Sequence, residues 1–193
     1  MAYSEKLGTN RGFELGDSSQ FSITGGGTNG LYTTSVGEGS NAWQLYADLN
    51  QMAAGDESEE ILTDPVAAVA GQTYLVGMWA AMLANYRSGS ACSRSLEGRV
   101  NYYNAGGTII TYAQIYYAGT LDAFPATFTW YELEVTTPAL TASIKLWAKV
   151  RVWKAETDPA QQVYRRLGVD GFSIKQKVAR GAGAVYLSDY GIV

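Results

Sequence analysis

The residue types able to carry chemistry in this 193-residue chain are quickly narrowed, because it contains no histidine and a single cysteine, Cys92. That composition excludes a Ser-His-Asp triad, a Cys-His dyad and a His-ligated zinc site. It equally excludes an internal disulfide and a multi-cysteine metal site. What remains for catalysis is carboxylate pairs of the kind glycosidases use, such as Glu132/Glu134, Glu57/Glu60 or Asp122/Glu97. With 18 acidic residues such pairs arise by chance, and positions 132 and 134 fall on one strand face, so the chain reads as non-catalytic. Residues 25–30, GGGTNG, match the G-x-G-x-x-G pattern in form. The strand-like Leu31-Tyr32-Thr33-Thr34 follows instead of a helix, so no helix N-terminus is there to receive a phosphate.

Aromatic rings offer a second chemistry, with 14 Tyr, 5 Trp and 5 Phe available. Trp147 stands between Lys145 and Lys149, Tyr103 near Asn101 and Arg99, and Tyr112 near Gln114 and Tyr116. Flat rings interleaved with amides and charges suit a sugar, whose apolar C–H face stacks while its hydroxyls take hydrogen bonds. The same residue types are enriched where proteins dock on one another. Trp79, Trp147, Tyr103, Tyr112, Asn101, Arg99 and Gln114 are therefore the candidate glycan- or partner-binding residues, expected on one outward face.

Strands must position them. Ile144, Leu146, Ala148, Val150 and Val152 share one parity, and Lys145, Trp147, Lys149, Arg151 and Trp153 the other, the period of a half-buried antiparallel strand. Tyr74, Val76, Met78 and Ala80 alternate with Thr73, Leu75, Gly77 and Trp79 in the same way. Residues 99–104, a turn at Ala105-Gly106-Gly107 and residues 108–116 read as a hairpin. Further strands are expected at 21–24, 31–34, 42–46, 60–66, 128–136 and 163–175. Loops are expected at 48–58, which ends in the acidic run 56–60 read as a solvated loop, and at 86–95 and 156–162. Hydrophobic residues make up 47% and charged residues only 17%, against about 25% charged in an average domain. Short strands with tight turns fit that composition better than charged helices. The expected organisation is one β-sandwich over residues 1–177 and an irregular glycine-rich arm over 178–193.

The net charge of −4 and the absence of a basic face argue against a nucleic-acid partner. No apolar run approaches the roughly 18 residues of a membrane-spanning helix. The charged opening residues Glu5, Lys6, Arg11, Glu14 and Asp17 leave no apolar stretch of the export-signal type.

Five segments, in order, resemble carbohydrate-binding modules of the galactose-binding-like jelly-roll fold. Residues 10–16, NRGFELG, are similar to that family's N-x-GFE-x-G opening; residues 69–79, VAGQTYLVGMW, to its "pGqtYtvs-x-W" strand. Residues 100–110, VNYYNAGGTII, then 130–138, WYELEVTTP, and 167–174, LGVDGFSI, follow the family's later strands. The resemblance spans most of residues 10–176 and implies an all-β jelly roll. It also implies a structural Ca²⁺ between the first and last strands, held by Glu14 and Asp170 with turn carbonyls such as those of Thr9 or Gly16. Two departures stand out: Phe21 where members often carry Trp, and Gly171 in place of a second acidic residue.

The expectation drawn from these features is a non-catalytic structural or recognition protein, most consistent with a phage virion component such as a capsid cement, decoration or fibre-associated protein. It would dock on neighbouring capsid subunits, assemble as a homo-oligomer and sit on the virion surface, without nucleic-acid or membrane partners. The alternative is a free, extracellular adhesin module that binds polysaccharide through the outward aromatics.

Overall fold

In the computed structural model, described for residues 2–7, 12–34, 36–49, 55–87, 92–120, 122–154 and 162–178, every regular element is a β-strand. The strands are β1 (Ala2–Glu5), β2 (Phe21–Gly25), β3 (Thr28–Tyr32), β4 (Ala42–Leu49), β5 (Gly55–Thr63) and β6 (Val66–Ala67). They continue with β7 (Thr73–Arg87), β8 (Cys92–Tyr103), β9 (Ile109–Ala118), β10 (Thr129–Thr136), β11 (Ser143–Lys154) and β12 (Val163–Val178). Two antiparallel sheets result. The first runs β10-β7-β12-β4-β3 with β1 beside β12, and the second runs β2-β5-β11-β8-β9 with β6 beside β11. They pack face to face as a β-sandwich of the jelly-roll type expected from the sequence.

Strand parity decides what lies between the sheets. On β11, Ile144, Leu146, Ala148, Val150 and Val152 are all 0% exposed; burial of each aliphatic larger than alanine stabilises by about 1.5–3 kcal/mol. From the opposing sheet Leu45, Val76, Met78, Leu167 and Val169 meet them in one cluster. Phe13 closes one end, fully buried and stacked on Phe21 with centroids 4.4 Å apart. The opening GFE motif thus supplies an aromatic plug, and a phenylalanine at position 21 completes it.

Three expectations are corrected. The acidic stretch 56–60 is not a loop but part of β5, where Glu59 turns inward, 2% exposed. There it accepts hydrogen bonds from the Gly27 N–H at 3.1 Å and Asn29 Nδ2 at 2.6 Å. β4 and β7 run on to Leu49 and Arg87, and β8 begins at Cys92, so the strands intrude on the loops expected at 48–58 and 86–95. β1, absent from the sequence reading, pairs with the end of β12 from Ala2↔Val178 to Glu5↔Lys175. Of the loop expected at 156–162 only Gln162 is described, and of the arm at 178–193 only Val178.

Candidate functional site

The even-numbered residues of β8 and β11 enter the core, so the odd-numbered ones form an outer face. Register lines them up: Trp147 opposite Arg99, Lys145 opposite Asn101, Lys149 opposite Glu97 and Arg151 opposite Ser95. On the other side of β8, Gln114 lies opposite Arg99, Tyr112 opposite Asn101 and Tyr117 opposite Glu97. The face runs about 33 Å along β8 from Ser93 to Tyr103, at 3.3–3.4 Å per residue.

At its centre Arg99 is clamped between two rings, its guanidinium carbon 3.8 Å from the Trp147 centroid and 4.5 Å from that of Tyr112. Trp147 points outward, yet it is only 4% exposed. The guanidinium covers it, and its Nε1 donates to Glu60 Oε2 at 3.1 Å. A ring covered in this way is not the open stacking platform expected of Trp147. Tyr112, by contrast, is 51% exposed. Asn101 is buried between the backbones of Tyr112 and Lys145, and Gln114 is exposed beside Arg99. Tyr103 is largely buried, with Lys145 Nζ 5.3 Å from its centroid.

Two residues expected on this face lie elsewhere. A β-bulge between Gly98 and Arg99 shifts the β9 register, so Tyr116 faces Gly98 and turns into the core. Gly98 makes room for it: a Cβ there would fall 2.2 Å from Tyr116 Cε1. Trp79 belongs to β7 in the first sheet and so lies on the opposite outer face from Trp147. It packs against Trp130 at 5.6 Å, over Gly37 and Gly171.

The sequence reading passed over one end of the face. Trp153 and Tyr117 are 40% and 54% exposed and border a concavity of about 280 Å³ with Ser93, Ser95, Thr120 and Arg151. Trp153 was visible in the β11 parity, but the bulge concealed Tyr117. At the other end a groove of about 470 Å³ is lined by Tyr103, Asn104, Ala105, Ser143 and Lys145. Along the face Arg151 holds Asp56 in a bidentate ion pair, keeping the Asp56 carboxyl below its ordinary range. Lys149 pairs with Glu60 at 3.6 Å, and Arg99 with Glu97 at 3.5 Å.

The carboxylate pairs are engaged in scaffold contacts. Glu132 accepts the Trp130 indole N–H at 2.9 Å, and Glu134 accepts Tyr3 Oη at 2.5 Å and Lys177 Nζ at 3.0 Å. Asp122 accepts the Gly119 N–H at 2.7 Å, and Glu57 accepts that of Asp48 at 2.8 Å.

Glu14 and Asp170 converge at a different place. A Cβ on Gly12 would lie 3.1 Å from Asp170 Oδ1 and 3.8 Å from Glu14 Oε1, so glycine leaves open the space between the two carboxylates. Asp170 is fully buried and accepts N–H bonds from Gly37, Glu38 and Gly171. Burial nevertheless pushes its carboxyl up to about 7, against those backbone donors and with the Glu14 charge adding to the rise. Buried Asp170 and exposed Glu14 thus turn carboxylate oxygens toward one gap, the donor type a hard cation takes. No group of three or more His, Cys, Asp or Glu residues able to hold a metal occurs among the described residues, so carbonyls and water would complete any shell.

No protein-family model matches the sequence, and no curated protein matches it. Solved structures share its fold. One is the enzymatically active domain of bacteriophage CBA120 tailspike protein 4, with TM-score 0.57 at 10% identity over 90% of this chain. This chain spans only 21% of that one. A second is the CBM22-1 xylan-binding domain of Paenibacillus barcinonensis Xyn10C, with TM-score 0.52, 14% identity, and coverage of 92% of this chain and 98% of that one. A third is TmCBM61 in complex with β-1,4-galactotriose, with TM-score 0.50, 18% identity and coverage of 90% and 99%. The neighbours thus include carbohydrate-binding modules of nearly the same extent.

Proposed function

We propose that this protein is a non-catalytic carbohydrate-binding domain that holds a polysaccharide along the outer face of β8, β9 and β11. The observation that carries this reading is the alignment of exposed Tyr112, Tyr117 and Trp153 on one face, between two concavities, with Arg99, Gln114 and Arg151 interleaved. Rings supply stacking area at little entropic cost, and the polar neighbours supply orientation. The likeness in fold to the xylan-binding domain and to the galactotriose complex supports it.

The virion reading has less support. It leaned on an arm of which only Val178 is described, and the tailspike likeness, at 10% identity, is one of fold. The glycan reading therefore takes precedence over docking on capsid subunits. As part of the same proposal, Glu14 and Asp170 would hold a structural Ca²⁺ that ties the segment between β1 and β2 to the middle of β12.

The test is affinity electrophoresis and calorimetry of the whole chain against neutral and acidic polysaccharides. Millimolar-or-better binding to one class, weakened in Tyr112→Ala and in Trp153→Ala, is expected. Absence of binding to every polysaccharide overturns the reading.

A further inference from the structure

The charges of the outer face do not cancel, and the residue left over lies in the groove at the Tyr103 end. Arg151 is matched by Asp56, Lys149 by Glu60 and Arg99 by Glu97. Lys145 has no carboxylate partner among the described residues; its ammonium lies over the Tyr103 ring, 5.3 Å from Nζ to centroid. It lies on the wall of the 470 Å³ groove with Tyr103, Asn104 and Ser143.

Each neighbour restricts what that ammonium can serve. A cation over a phenol ring is held less strongly than one hydrogen-bonded to an anion, so the groove retains an unspent positive charge. Asn104 spends its Oδ1 on the Gly106 and Thr108 N–H groups at 2.9 and 3.0 Å. That leaves its amide N–H₂ as a second donor beside Lys145, with the Ser143 hydroxyl as a third. The residues lining the groove include no carboxylate, so the ammonium and this amide meet no built-in counter-anion there.

We infer that the Tyr103–Lys145 groove takes an anionic sugar unit, a uronic acid carboxylate or a sulfate ester, so that the polysaccharide recognised is acidic. This inference rests on the glycan-binding reading above and names its ligand class. The chain's net charge of −4 disfavours indiscriminate attraction of polyanions, so acidic-glycan binding has to come from a local cation. An ammonium, as a compact point charge, serves carboxylate and sulfate alike.

The experiment uses the full chain and three probes of matched length: a uronic-acid oligosaccharide, a sulfated neutral-backbone oligosaccharide and an uncharged one. The wild type should favour one or both acidic probes. Lys145→Gln should weaken their binding about tenfold, the scale of one charge-assisted hydrogen bond, and leave the uncharged probe unaffected. Lys145→Arg should restore most of the loss, and an unchanged melting temperature in both variants shows the fold intact. Preference for the carboxylate or the sulfate probe identifies which source of negative charge is recognised. Equal or tighter binding of the uncharged probe, or a Lys145→Gln loss common to all three, overturns the inference and leaves the glycan reading standing. Failure of all three probes to bind overturns the inference, and the glycan reading falls with it only if the polysaccharide panel above also shows no binding.

Discussion

The guanidinium carbon of Arg99 lies over the indole of Trp147, 3.8 Å from its centroid, so the most buried tryptophan of the outer face is covered by a charge instead of by the core. Arg99→Ala should uncover that ring. The expected readouts are a red shift in tryptophan emission and a glycan affinity weakened by roughly tenfold, because Arg99 also orients Tyr112. An emission spectrum unmoved by the substitution would show that the cover is not maintained in solution.

Trp147 itself is a poor probe of binding, because its removal opens a cavity. Trp147→Ala should cost about 3 kcal/mol or more in unfolding free energy, measurable by urea titration. Tyr112→Ala and Trp153→Ala remove exposed rings and should change stability by only about 0.5 kcal/mol. Each should nevertheless weaken glycan binding by roughly five- to tenfold, as an interface anchor does. Full affinity in the double variant would remove these rings from the site.

What the sequence made legible was parity. The alternation of residues 142–153 placed Trp147, Lys149, Arg151 and Trp153 outward on β11, and the structure has them so. What it hid were the events that change parity or partnership. The β-bulge at Gly98/Arg99 leaves no signature in strict alternation, and it sends Tyr116 inward while Tyr117 emerges. Sheet assignment was equally invisible: Trp79 alternates as cleanly as Trp147, but parity says which face of a strand is outward, never which sheet the strand joins. Charge makes the acidic stretch 56–60 read as a solvated loop. In β5 its residues instead pair with Arg151, Lys149 and the backbone of the turn between β2 and β3.

Calcium should be read out as stability. If Glu14 and Asp170 share a cation, saturating Ca²⁺ at about a hundred times its dissociation constant adds roughly 2.7 kcal/mol. That corresponds to a melting temperature about 5–10 °C higher for a chain of this size. Chelator should reverse the rise, and Asp170→Asn should abolish it. A melting temperature indifferent to both Ca²⁺ and chelator would leave the two carboxylates with a purely hydrogen-bonding role.

The N-terminal strand should come loose in acid. Glu5 Oε2 accepts the Ser173 hydroxyl at 2.7 Å, while Oε1 accepts the N–H groups of Ile174, Leu7 and Lys6 at 3.0–3.1 Å. Burial alone would raise the Glu5 carboxyl. The Ser173 hydroxyl and the backbone N–H groups of Leu7, Ile174 and Lys6 together outweigh it, and the net shift is downward from 4.5. The unfolded segment therefore binds the proton more readily than the folded one. The stabilisation is complete above the ordinary glutamate range and is lost as pH falls through the lowered folded value. Hydrogen-exchange protection of the β1–β12 pair, corrected for intrinsic exchange, should accordingly fall in the wild type as pH drops below the ordinary glutamate range. In Glu5→Gln the protection should already be weak at pH 7 and nearly flat with acid, because the amide cannot titrate and offers one acceptor oxygen where the carboxylate offers two. Superimposable acid profiles for the two proteins would assign the loosening to some other group.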